Sequence, residues 1–175
     1  ARNKTCDNAT DWAAVYEYAR NGIRKDFAPM ADDVKWYSSY HMYSNFVGWL
    51  LTDMYVIHLM DPNMPARFPA SGRYSDLPNN GRATSEDTRL ESDYQYISSC
   101  SFRPERGYYH FSSYRCKRVD PYLKTRAEPM PEFRTAENDY LLAEAAARTG
   151  KIEEAAAIMN ASPRVTRGKL PPLPP

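Results

Sequence analysis

The residues best suited to chemistry in this sequence are aromatic. Among fourteen tyrosines, six phenylalanines and three tryptophans, Trp36, Tyr37, Tyr40 and Tyr74 fall in stretches rich in polar residues and turn formers. A ring displayed on a loop offers a π face that can bury the C–H face of a sugar or an apolar peptide side chain, while polar neighbours take its hydroxyls or amides. These four are therefore the candidate ligand-binding residues. The competing reading is that each ring packs its own loop onto the scaffold. Trp12, Trp49 and Tyr140 recur at helical spacing and are assigned to the core.

Other chemistry finds less support. Glu137 and Glu144 are seven apart, on one helix face but two turns or about 10 Å from each other, so they match an inverting glycosidase pair only by coincidence. His41, His58 and His110 share no metal-ligand spacing, and there is no G-x-S-x-G elbow, phosphate loop or dinucleotide fingerprint. Asp53 and Asp61 to Asn63 could contribute to a calcium site, but the run lacks the EF-hand pattern, and capping and turn roles are preferred. Cys6, Cys100 and Cys116 allow one disulfide at most; Cys100 and Cys116 could pair, with free buried thiols the preferred state. The expectation is a binder and not an enzyme, with no catalytic residue, metal or cofactor.

Composition narrows the partners. The 175 residues carry 23 Lys plus Arg against 22 Asp plus Glu, a formal charge of +1, and no basic cluster, so nucleic acid is an unexpected partner. With 42% of residues hydrophobic the chain can bury a core in spite of a mean hydropathy of −0.71. Its longest apolar stretch, Phe46 to Leu51, is far short of a membrane span. Fourteen prolines against seven glycines predict long, stiff, irregular connections.

The elements that must position the aromatics follow from periodicity and punctuation. Asp11 to Ile23 predicts a helix capped by Asp11 and stopped by Asn21-Gly22. After an aromatic loop, Arg24 to Tyr43, a second helix is predicted from Ser44 or Asn45 to about Met60, with Phe46, Leu50, Met54 and Ile57 in line. Residues 62–85 read as an ordered surface loop, residues 86–96 have no clear type, and Phe102 to Tyr114 suggests extended chain about an Arg106-Gly107 turn. Ala136 to Thr149 and Lys151 to Asn160, separated by Gly150, predict an αα-hairpin, and Ala143, Ala146, Ala147, Ala155 and Ala156 would let its backbones approach closely. The proline-rich end, residues 162–175, reads as an extended strap in preference to a polyproline ligand. The fold class expected is mainly α: a single domain over 1–175, built of tetratricopeptide-like stacked helical hairpins with long irregular loops and little β.

Arg134-Thr-Ala-Glu137, Leu141, Ala143-Glu-Ala145, Gly150, Glu154-Ala155, Asn160 and Arg164-x-x-Arg167-Gly168 resemble, in order and spacing, the C-terminal signature of the SusD/RagB nutrient-binding lipoproteins. Upstream, the helix from Asp11, the T-D-M at Thr52 to Met54, D-P-x-x-P-x-R-F-P from Asp61 to Pro69 and the stretch Phe102 to Tyr114 resemble one branch of that family. The resemblance implies a tetratricopeptide-like scaffold tethered by lipid to the extracellular face of an outer membrane. There it would serve as a lid on a SusC-like TonB-dependent barrel transporter, capturing oligosaccharides or peptides without catalysing a reaction. In that motif Glu137 and Glu144 are scaffold residues that would hold arginines such as Arg134 or Arg164. Family members are longer and begin at a lipidated cysteine, whereas Cys6 follows Ala-Arg-Asn-Lys-Thr with no lipobox, so a fragment is expected. The alternative is a tetratricopeptide-type adaptor that holds a protein segment in a helix-lined groove. A glycan-degrading enzyme is a weaker third reading.

Overall fold

Residues that favour helix flank Gly150 on both sides, and the chain folds accordingly. The computed structural model describes residues 10–32, 34–36, 51–98, 111–118 and 120–174. Its elements are α1 (Trp12–Arg20), β1 (Met30–Ala31), α2 (Met54–Met60), α3 (Arg89–Asp93), β2 (Tyr94–Tyr96), β3 (Tyr114–Cys116), α4 (Asp120–Thr125), β4 (Glu128–Pro129), α5 (Thr135–Arg148), α6 (Ile152–Ala161) and α7 (Pro163–Thr166). The fold is mainly helical, with few and short strands. It divides into two compact units, one of Ala1–Pro29 with Met130–Pro175 and one of Met30–Pro129.

In the first unit α5 and α6 form the hairpin. Gly150 at φ +83° is the left-handed residue that stops α5, a conformation glycine adopts without the Cβ penalty. The Gly150 N–H donates to the Ala147 carbonyl at 3.1 Å and the Lys151 N–H to that of Ala146 at 2.8 Å, the two bonds of a Schellman motif. Ala145 and Ala146 are fully buried and pack with Ala155, Tyr16, Trp12, Val15 and Leu142, so α1 lies against the hairpin. Ala147 faces solvent. The Tyr16 hydroxyl donates to the Glu154 carboxylate at 2.9 Å, and the Lys151 ammonium stands 3.4 Å from the centre of the Tyr16 ring. Trp12 packs on this core cluster as expected, half-buried beneath the Arg148 guanidinium at 4.5 Å, and Tyr140 is also half-buried.

Asp11 caps α1 by accepting the Ala14 N–H at 3.0 Å, and the helix ends at Arg20, short of Ile23. A long-range cap starts α5, where the Asp26 carboxylate accepts the Thr135 N–H at 2.8 Å and its hydroxyl at 3.0 Å. The tail is a strap. Asn160 holds Leu173 by both backbone groups, at 2.7 and 2.9 Å, and Arg164 donates to the Pro171 carbonyl at 2.5 Å.

In the second unit Met54, Ile57, Met64, Leu77, Leu90 and Tyr114 form the core. The long helix expected up to Met60 begins only at Met54, and residues 37–50, including Trp49, lie outside the described residues. Thr52 explains the start. Its N–H donates to the Tyr114 carbonyl and its carbonyl accepts the Ser112 N–H, both at 2.7 Å, which commits the backbone to strand pairing; Asp53 then caps α2 through the Tyr55 N–H at 2.7 Å. Met64 and Leu77, from the segment 62–85, are buried, so that segment supplies core as well as surface. Residues 86–96 resolve into α3 followed by β2, which pairs antiparallel with β3 in the register Tyr94↔Cys116 and Tyr96↔Tyr114. Residues 99–110, with the Arg106-Gly107 turn, lie outside the described residues, while Phe111 bridges Asp53. A second pair, β1 with β4, joins Met30 to Pro129 and Ala31 to Glu128.

Candidate functional site

Trp36 sits just beyond β1, on a turn built by one carboxylate. An aspartate can gather backbone amides that follow it and so substitute for regular structure. Here Asp32 Oδ1 accepts the N–H groups of Val34, Lys35 and Trp36 at 3.0, 2.8 and 2.9 Å, and the Asp32 N–H closes the turn on the Trp36 carbonyl at 2.9 Å. The turn is tied to its unit through Ala31, buried and paired with Glu128. Trp36 is 73% exposed and Val34 80%. The indole face is thus held open on a backbone with its amides already satisfied.

The amides of Trp36, Val34 and Lys35, in that order of effect, hold the Asp32 carboxyl below its ordinary 3.8. A carboxylate with a lowered folded pKa contributes to the fold above its unfolded value and loses that contribution as pH falls through the folded one. The turn is therefore expected to stay closed at neutral pH and to open as pH drops below about 3.8. Fluorescence of Trp36 alone, with Trp12 and Trp49 replaced by phenylalanine, reads this directly. An Asp32→Asn variant should lose the transition, and an unchanged titration would show that the carboxylate does not organise the turn.

Tyr74 is placed differently. It lies in a 3₁₀ turn, Tyr74–Asp76, half-buried against the core of its unit and edge-on to Phe68 at 4.9 Å and 78°. Such T-shaped contact is an ordinary packing arrangement for two rings. Tyr37 and Tyr40 lie outside the described residues. One candidate is therefore displayed, one is packed onto its own loop, and two fall outside the description.

The carboxylates have structural employment. Glu137 accepts the backbone N–H of Arg134 at 3.3 Å at the start of α5, and Glu144 holds an arginine side chain, that of Arg148 one turn later in the same helix, at 3.0 Å. Asp61 accepts the N–H of Asn63 at 3.1 Å and that of Thr84 at 2.7 Å, which ties the two ends of the segment 62–85 together. His58 donates from Nδ1 to the Met64 carbonyl at 2.7 Å, and His41 and His110 lie outside the described residues. Among the described residues no three His, Cys, Asp or Glu side chains are grouped to hold a metal ion. Cys116 is free and half-buried; Cys6 and Cys100 lie outside the described residues.

No protein-family model, curated protein or solved structure matches this chain. What the site can do rests on its own chemistry. An open indole, a displayed valine and an exposed lysine in one short turn suit a ligand with an apolar face and polar edges. Sequence reading singled out Trp36 by residue type and missed Asp32, although an aspartate two to four residues before the amides it binds is a readable turn signal. It also missed a second aromatic group in the same unit, where the Arg82 guanidinium stands 5.5 Å over the Tyr96 ring. Among the described residues no helix is long and apolar enough to cross a membrane.

Proposed function

We propose that this chain is a cell-surface substrate-binding module of the SusD/RagB kind, capturing oligosaccharides or peptides for uptake through a SusC-like TonB-dependent outer-membrane transporter. The observation that carries the reading is Trp36, open to solvent on the turn that Asp32 closes. A rigid displayed ring costs little conformational entropy on binding, which is what a collector of flat, polar-edged ligands needs. The order of small residues, glycine and arginines through α5, α6 and α7 supports the same family, with α5 and α6 as a tetratricopeptide-like hairpin stacked among others. In this reading the chain binds and does not catalyse, and a lipid anchor holds the assembly on the extracellular face of the membrane.

Two measurements test it. Mild-detergent extraction of native membranes, purification through this chain and mass spectrometry should recover a large TonB-dependent barrel. Recovery only from the soluble fraction, or with an unrelated partner, would favour the adaptor reading. In an oligosaccharide and peptide screen, Trp36→Ala is expected to weaken binding by about tenfold or more, as loss of a central tryptophan does. Binding unaffected by that change would remove Trp36 from the site.

A further inference from the structure

We infer that Asn80 is a site of spontaneous, structure-selected deamidation, whereas the chemically equivalent Asn21 is protected. Both residues precede glycine, Asn21-Gly22 and Asn80-Gly81. Glycine leaves the following amide unhindered, so its nitrogen can attack the asparagine carboxamide. With the same Asn-Gly pair at both sites, the folded structure decides which of the two reacts.

At Asn21 both participants are engaged. The side-chain amide donates to the Glu17 carbonyl at 2.9 Å, and the Gly22 N–H donates to that of Ala19 at 3.1 Å, at the capped end of α1. Leaving that geometry costs two hydrogen bonds at a helix terminus. At Asn80 the carboxamide is exposed and makes no hydrogen bond with the described residues. Its backbone is held in a tight 3₁₀ turn, Pro78–Gly81, in which Asn79 (φ 47°, ψ 39°) and Asn80 (φ 51°, ψ 34°) are both left-handed. Asparagine adopts this left-handed region more readily than other non-glycine residues, so the turn keeps the Asn80 carboxamide on the surface without a side-chain bond that would hold it there. The restraints opposing rotation of Asn80 toward the reactive geometry are the Asn80 N–H on the Leu77 carbonyl at 3.2 Å, the Arg82 N–H on that of Asn79 at 3.0 Å, the Asn79 side-chain amide on the Arg82 carbonyl at 3.1 Å, the Tyr96 hydroxyl on the Asn80 carbonyl at 3.0 Å and the packing of Gly81, none of which engages the Asn80 carboxamide itself.

The reaction balances with water as the only co-reactant. The Gly81 nitrogen, losing its proton to hydroxide, bonds to Asn80 Cγ, and the carboxamide nitrogen leaves as ammonia. The resulting succinimide is opened by water at either carbonyl, giving aspartate or isoaspartate at position 80. Either product adds a carboxylate two residues before Arg82 and cancels the formal charge of +1. The iso form also lengthens the main chain by one carbon beside Gly81, which is buried against Ser113 and Leu77 so tightly that a Cβ there would lie 2.4 Å from Ser113 Oγ. That linkage is expected to pull the turn off the core of its unit.

The test is incubation of the folded chain at mildly alkaline pH, followed by peptide mapping by mass spectrometry and isoaspartate labelling with a protein isoaspartyl methyltransferase. Deamidation at position 80 several-fold faster than at position 21 is expected, with the two rates converging in concentrated urea, where both sites are unfolded. Tyr96→Phe, which frees the Asn80 carbonyl, should speed position 80 and leave position 21 unchanged. Equal rates in the folded chain, a faster reaction at position 21, or reaction at both sites only in urea would each overturn the inference.

Discussion

Ile57→Ala is expected to destabilise the second unit by about 2 to 5 kcal/mol, the usual range for emptying an enclosed aliphatic site. Ile57 is 1% exposed and packs within the cluster of Met54, Met64, Leu77, Leu90 and Tyr114. These side chains come from α2, the 62–85 segment, α3 and β3, so a cavity there loosens several elements at once. Ile57→Val, which removes one methyl group, should cost only about 0.5 to 1.5 kcal/mol. Urea denaturation, with amide hydrogen exchange at α2 as the local readout, measures both. A loss under about 0.5 kcal/mol for the alanine variant, the range of surface substitutions, would mean that Ile57 is not enclosed.

Ala145→Leu should damage the other unit by the opposite route. Ala145 is 0% exposed where α1 and α6 meet α5, and there is no room for three added carbons without moving a backbone. Overpacking of this kind costs about 1 to 3 kcal/mol and occasionally more. Ala147→Leu, on the exposed side of the same helix, is expected to change stability by less than about 0.5 kcal/mol. The fluorescence of Trp12, which packs on the cluster and lies under Arg148, should shift with the first variant and not the second. Equal effects from the two would show that α5 does not turn its Ala145 face inward.

The hairpin was legible because everything that builds it is local. Strong helix formers fill both arms, and the bonds that end α5 run between Lys151 and Ala146 and between Gly150 and Ala147, five and three residues apart. The Asp11 cap was legible for the same reason. The start of α2 was not, because apolar spacing continues upstream of Met54 while the backbone of Thr52 is claimed by Ser112 and Tyr114, some sixty residues later. Turn formers likewise announced the irregular course of residues 62–85 but could not announce the burial of Met64 and Leu77, which depends on the α2 and β3 residues they meet.

The candidate site divides along the same line. Residue type alone marked Trp36 and Tyr74 as rings that could serve a ligand. Their surroundings separated them, since Asp32 ties the backbone around Trp36 and leaves its ring open, whereas Phe68 and the core take up Tyr74. The sequence by itself determined the mainly helical character, the hairpin about Gly150, the first cap and the kinds of side chain on offer. These depend on propensities and hydrogen bonds spanning a handful of residues. Only the tertiary structure decided which ring is displayed, which carboxylate serves as cap or ion-pair partner, and which asparagine is left unguarded. Burial and partnership are set by neighbours that are distant in the chain, and no local pattern encodes who those neighbours are.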